Sequence, residues 1–206
     1  KGKGNHAYID NLQEANRVLV NEFGATMHTV AKDVKLQVEF NPAVVKGYRL
    51  IGYENRIMNA EDFADDTKDG GEIGAGHRVT ALYEIVKVDS AYEITGVPSR
   101  YGQMQTDSDR QSLYEKEWLT VNIRYKEPDG NTSKLLTYPV NDSAYSDSMS
   151  ENMSFAAGVA QFGMVLRESD YLGSTTLEDV IARLKLLPSV AADEYKEELV
   201  YLMGKI

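Results

Sequence analysis

The sequence contains no cysteine among its 206 residues, and its 22 basic residues are outnumbered by 32 acidic ones. The absence of cysteine excludes thiolate nucleophiles, disulfide bonds and cysteine-based zinc sites. No apolar run comes near the roughly 18 residues that a membrane-spanning helix needs. The formal net charge is -10 at pH 7. Because such a charge repels phosphate backbones, we expect no nucleic-acid partner.

The first six residues lack an initiator methionine and the apolar core of a signal peptide. They run directly into Ala7-Tyr8-Ile9, a short apolar stretch that predicts a strand. We therefore expect the chain to be cut from the C-terminal end of a longer protein.

A helix is predicted next, because Asn11 and Glu14 have the spacing of a capping box. Gly24 is expected to end this helix. Its apolar stripe consists of Leu12, Ala15, Val18, Leu19 and Phe23.

The middle of the chain alternates apolar and polar residues, which is typical of half-buried strands. The predicted strands cover residues 34–40, 48–53 and 79–88 and the hairpin 117–140. The turn of the hairpin is Pro128-Asp129-Gly130-Asn131. Residues 89–116 are predicted to form a long loop. Since these strands follow one another without intervening helices, they indicate an antiparallel β-sandwich.

The last third of the chain is predicted to form about three short helices that pack on the sandwich. The first carries an apolar stripe of Phe155, Val159, Phe162 and Leu166. Capping boxes are expected for Ser148 with Glu151 and for Thr175 with Glu178. The second helix is expected to stop near Pro188.

An acidic stretch over residues 61–72 is the most unusual local feature, with six carboxylates against one lysine. Within it, the order Asp65-x-Thr67-x-Asp69-Gly70 resembles the front of a calcium loop. An EF-hand would place a carboxylate at the twelfth position, which is Gly76 here, so that match fails. A looser calcium site with Asp65, Asp69 and Glu72 as candidate ligands is one hypothesis. The alternative is a solvated acidic loop.

No catalytic constellation is visible. The three histidines form no metal-binding pair, and no nucleophile elbow exists. The glycine-rich run 70–77 is followed by a predicted strand from residue 78 or 79, whereas a phosphate cradle precedes a helix. We interpret it as a loop with tight backbone geometry that enters this strand, and we predict no enzyme activity and no catalytic residues.

Several stretches together resemble one family. Gly4–Asp10 and the helix after it look like the last strand and helix of a von Willebrand factor A domain. Further matching stretches are residues 31–35, 38–42, 48–56, 62–63, 71–77, 79–84, 119–125, 155–164 and 166–167. In this order they resemble the C-terminal region of bacterial YfbK-like proteins.

The resemblance implies an α+β chain in three parts. Residues 1–24 would be the remnant of the A domain, residues 25–145 the β-sandwich, and residues 146–206 a helical subdomain packed on it. It also implies an A domain of the same protein as partner, an unidentified protein ligand, and a place in the extracytoplasmic envelope, often as a lipoprotein. A domains hold a divalent metal such as Mg²⁺ through Asp-x-Ser-x-Ser. That motif is absent here, so any such site lies outside this chain.

The leading hypothesis is therefore a non-catalytic structural or protein-interaction module. On this hypothesis the apolar face of Asn11–Phe23 is either exposed or paired with another copy. One alternative is a calcium-dependent ligand- or glycan-binding module that uses the 61–72 loop. Another is an uncharacterised hydrolase.

Overall fold

The computed structural model describes residues 7–53, 57–92, 114 and 116–206. The chain divides into two compact units. One comprises residues 1–49 and 53–144, and the other comprises Leu50–Gly52 and Tyr145–Ile206. Most of the predicted loop over residues 89–116 lies outside the described residues. The predicted boundaries at residues 24 and 145 stay predictions.

The first unit opens with three consecutive helical pieces. They are α1 (Leu12–Asn16), a π-helical turn (Arg17–Asn21) and α2 (Phe23–Met27). Asn11 caps α1 as predicted, since its side chain accepts a hydrogen bond from the Glu14 amide at 2.7 Å. The Glu14 carboxylate itself pairs with Arg17.

Two predictions for this region were wrong. Residues 7–10 form no strand, because none of the described strands pairs with them. The helical pieces also continue past Gly24 to Met27. Gly24 is not among the residues with positive φ, so it does not provide the left-handed cap that ends a helix.

Six described strands follow. They are β1 (Thr29–Phe40), β2 (Val45–Ile51), β3 (Gly71–Gly74), β4 (Leu82–Lys87), β5 (Glu117–Lys126) and β6 (Ser133–Asn141). Four of them form an antiparallel sheet in the order β3-β1-β5-β6, and β2 and β4 form a second sheet. The predicted hairpin is confirmed as β5 and β6.

The register gives the four-stranded sheet one apolar and one polar face, because successive side chains of a strand point to opposite sides. On the apolar face, Leu36, Val38 and Phe40 lie opposite Ile123, Val121 and Leu119, which lie opposite Leu136, Tyr138 and Val140. On the polar face, Lys35, Gln37 and Glu39 lie opposite Arg124, Asn122 and Thr120.

The two sheets meet at Phe40 on the apolar face. Its ring stacks on Tyr48 with centroids 4.1 Å apart and meets the edge of Tyr83 at 5.4 Å. The α+β class with antiparallel sheets is confirmed, but the predicted sandwich is not. The second sheet has only two described strands, since β3 adds to the larger sheet and residues 79–81 stay outside β4.

The second unit contains the predicted helices. They are α3 (Glu151–Leu166), α4 (Leu177–Lys185), α5 (Pro188–Ala191) and α6 (Glu194–Met203). The buried core of this unit consists of Val180, Leu184, Val190, Val200 and Met203. Pro188 does more than follow the second helix, because it occupies the first turn of the short α5, where its missing N–H costs nothing.

Both predicted helix caps in this unit were displaced along the chain. Ser150 caps α3 by accepting from the Met153 amide, in place of Ser148. Thr176 and Asp179 form the capping box of α4, in place of Thr175 and Glu178. Neighbouring serines and threonines fit the same capping pattern equally well. Which of them caps the helix depends on where the first turn must begin so that the apolar face is buried.

Candidate functional site

The acidic stretch lies on the polar face of the four-stranded sheet. We call residues 60–70 the acidic strap; it begins with a short 3₁₀ helix, Ala60–Phe63. The Lys35 ammonium donates to the backbone carbonyls of Asp65 at 2.5 Å and Asp62 at 3.4 Å. Lys35 is only 3% exposed. A buried lysine is costly unless its charge is compensated, so these carbonyls stabilise Lys35 for as long as the strap covers it.

A second cation of the sheet holds the middle of the acidic strap. The guanidinium of Arg124 donates to the Asp66 carboxylate at 3.1 Å, and the hydroxyl of Ser133 donates to the same oxygen. Arg124 lies on β5 and Ser133 on β6, so Asp66 bridges two neighbouring strands through one carboxylate.

The end of the acidic strap is held at a β-bulge. Asp33 has a φ of 57°, and the register of β1 shifts around it against both β3 and β5. Its carboxylate accepts from the Gly70 amide and from the Lys126 ammonium, both at 2.6 Å. A β-carbon at Gly70 would lie 2.6 Å from the carbonyl carbon of Asp33, so only glycine permits this approach.

The electrostatics of these carboxylates follow from their partners. Burial alone would raise the pKa of Asp33, but the Lys126 ammonium and the Gly70 amide together bring it below its ordinary value. Hydrogen bonds from Ser133 and Arg124 lower the pKa of Asp66. These groups are therefore ionised at neutral pH and matched by positive charge, which makes them structural ion pairs.

The three candidate calcium ligands lie along the acidic strap and just beyond it. Asp65 accepts hydrogen bonds from the hydroxyl and amide of Thr67, which lower its pKa. Asp69 is exposed near the end of the strap, and Glu72 is exposed on β3. Within the described part of the chain, no three His, Asp or Glu side chains gather into a group that could hold a metal ion. The calcium site stays a prediction.

Sequence reasoning missed Lys35, Arg124 and Lys126 as partners of the acidic strap. A lysine or arginine in an alternating strand is ordinarily interpreted as a solvated residue. The available signal was the position of these three residues in predicted strands, together with an acidic run whose only basic member is Lys68.

The glycine-rich run has a structural role, although its predicted form was wrong. Gly71–Gly74 is itself a strand that pairs with β1, and the next strand starts only at Leu82. Gly74 lies against the backbone of Ala25, where an added β-carbon would overlap the carbonyl oxygen. The expected tight backbone geometry is present at Gly70 and Gly74.

A different surface is formed by the N-terminal helical pieces. Leu12 is 87% exposed, and Leu19, Val20 and Phe23 are also more than half exposed. The residues of the predicted stripe differ in exposure. Ala15 and Val18 are partly buried, whereas Leu12, Leu19 and Phe23 are exposed to solvent. Of the helices that the structure describes, none is long and apolar enough to cross a membrane.

These features define an α+β protein whose antiparallel sheet carries an acidic strap on one face. The family described as "Uncharacterized protein YfbK, C-terminal" matches residues 25–206, and the chain belongs to this family. It is 38% identical over 202 residues to "Uncharacterized protein YfbK" of Escherichia coli (strain K12). That alignment covers 98% of this chain and 34% of the relative, so the chain spans about a third of its length. No solved structure gives a significant match.

Proposed function

We propose that the chain is a non-catalytic protein-interaction module that docks onto a von Willebrand factor A domain of the same polypeptide. The observation that carries this proposal is the exposed apolar surface on α1, the π-helical turn and α2. Large apolar side chains that cluster on a surface commonly mark a protein–protein contact.

The comparisons support an occupant from the same polypeptide. The family match starts at residue 25, whereas the alignment with the E. coli protein covers almost all of this chain. The exposed helical surface thus lies mainly before the matched family region. The relative extends well beyond the aligned part, since only 34% of it is covered.

The acidic strap supports the non-catalytic part of the proposal. Hydrogen bonds from Ser133 and Arg124 lower the pKa of Asp66, and those from Thr67 lower the pKa of Asp65. On β1 beside the strap, the Lys126 ammonium and the Gly70 amide bring the pKa of Asp33 below its ordinary value. A general acid or base at neutral pH needs a pKa moved towards 7, and these shifts go the other way.

The docking proposal is tested with the chain and a separately expressed A-domain segment of the same polypeptide that ends before residue 1, so that residues 1–24 come from this chain alone. The two are mixed and followed by calorimetry. We expect a one-to-one complex that Leu12→Ser combined with Phe23→Ser weakens by at least about tenfold, because apolar anchors dominate such contacts. Leu186→Ser is the matched control, since Leu186 is 81% exposed but lies on the helical unit.

Two outcomes would contradict docking through this surface. One is full binding by the double variant. The other is concentration-dependent dimerisation of the chain alone that the same double variant abolishes, because this would assign the surface to a second copy. A substrate screen that finds hydrolysis above background, in preparations free of contaminating hydrolases, would contradict the non-catalytic assignment.

The calcium-dependent alternative uses Asp65, Asp69 and Glu72. Isothermal titration with calcium tests it directly, and binding heat lost on Asp65→Asn would support it. The ammonium of Lys35 already contacts the backbone carbonyls of Asp62 and Asp65, so neither carbonyl can complete such a calcium site without displacing Lys35.

The resemblance also motivates a proposal on location. We place the module in the extracytoplasmic envelope, as part of a lipoprotein. Cell fractionation with an antibody against this chain tests the proposal, and recovery only in the cytoplasmic fraction would contradict it.

A further inference from the structure

The acidic strap is held to the sheet mainly by polar contacts. In the described parts of the chain, no buried apolar side chain belongs to residues 60–70, and Phe63 is only partly buried. The contacts to the sheet come from Asp33, Lys35, Arg124, Lys126 and Ser133. The strap therefore depends on charge to stay in place.

One of the ion pairs that hold the strap is accessible to dissolved salt ions. In the pair between Arg124 and Asp66, the side chains are 24% and 49% exposed. Exposed pairs are screened by salt, whereas the pair of Asp33 with Lys126, at 13% and 16%, is shielded better. Raising the salt concentration thus weakens the middle of the strap first.

The sheet does not need the acidic strap for its own hydrogen bonds. β5 has a paired strand on each side, and neither partner belongs to residues 60–70. The strap in turn closes short turns within itself, with the Asp65 amide on the Asp62 carbonyl and the Lys68 amide on the Asp65 carbonyl. The hydrogen bonds between the strands and the turns within the strap can therefore both persist when the strap leaves the sheet.

We propose that the acidic strap is a salt-sensitive conformational device that opens as a unit while the four-stranded sheet stays folded. Opening uncovers a positively charged surface on the polar face of the sheet, formed by Lys35, Arg124 and Lys126. Segments with few apolar contacts and many polar ones belong to the least stable parts of a protein, which open locally before global unfolding.

Hydrogen exchange on the whole chain, followed by NMR at about 0.05 M and about 1 M sodium chloride, tests the proposal. The reporter amide of the strap is that of Gly70, which donates a hydrogen bond to the Asp33 carboxylate on β1. We expect its exchange to become about tenfold faster at high salt, while the amides of Val121 and Ile123 in β5 change little.

Arg124→Gln should produce the same acceleration at low salt, since it removes the exposed ion pair. Lys134→Gln is the matched control, because Lys134 forms an exposed ion pair with Glu127 away from the strap. Equal acceleration of the Gly70 amide and the β5 amides would overturn the proposal, as would a Gly70 amide that does not respond to salt. The salt comparison on the unchanged chain decides the matter if Arg124→Gln fails to fold.

Discussion

Gly158 on α3 lies directly against Leu184 on α4, so that a β-carbon at Gly158 would fall 2.5 Å from Cδ2 and 2.9 Å from Cγ of that leucine. Leu184 is among the most deeply buried side chains of the helical unit, at 1% exposure. It has little room to move aside. The contact between α3 and α4 therefore depends on a residue without a side chain.

Gly158→Ala should lower the free energy of unfolding by about 1–3 kcal/mol, because it overpacks this contact. Gly163→Ala is the control on the same helix, since nothing lies within 4 Å of its added β-carbon. That variant should gain about 0.5–1 kcal/mol from helix propensity. Urea unfolding followed by circular dichroism measures both, and equal effects would contradict the close packing at Gly158.

Lys35→Met should destabilise the first unit by about 1–3 kcal/mol, because two strap carbonyls lose their donor while the apolar part of the side chain is kept. Lys46→Met is the matched control. Its ammonium also donates to a backbone carbonyl, that of Ser90, but Lys46 is exposed. A change within about 0.5 kcal/mol is expected there. Thermal unfolding of both variants compares a buried with an exposed lysine–carbonyl contact.

The stability of the first unit should decrease in acid through Asp33. Its pKa is lowered in the folded chain, so it contributes stability above its unfolded pKa of about 4 and loses that contribution as the pH falls through the folded value. Asp33→Asn should be less stable than the unchanged chain at pH 7 and should show a flatter acid dependence. Unfolding in urea at a series of pH values measures this, and parallel curves would contradict the ion pair.

Thr176→Ala should cost about 1 kcal/mol by removing the capping box of α4. Thr175→Ala changes the residue next to it and should have an effect within about 0.5 kcal/mol. The two variants distinguish the cap seen in the structure from the one that the sequence pattern predicted. A larger loss for Thr175→Ala in thermal unfolding would favour the sequence prediction.

The elements that sequence reasoning found are those with strong local signals. The alternation in β1 and β5 is visible because each strand has one apolar face, and the β5–β6 hairpin is marked by its Pro128–Asn131 turn. β3 was missed because a four-residue strand that contains two glycines has no such pattern.

The polar contacts of the acidic strap could not be predicted from local sequence patterns. Lys35 is 27 residues from Asp62 and Lys126 is 93 from Asp33, so only the sheet register brings them together. The left-handed conformation of Asp33 likewise accompanies the two register shifts around it. The acidic run was found, but its neutralisation depends on tertiary structure.

The residue at position 33 must meet two requirements that few amino acids satisfy together. A backbone with φ of 57° suits glycine or asparagine better than residues with bulkier side chains, whereas Lys126 and the Gly70 amide require a carboxylate. Glycine would relax the chain and leave Lys126 without its partner; glutamate would keep the charge and worsen the backbone conformation. Aspartate is the residue that satisfies both, which makes position 33 one of the least replaceable in the sheet.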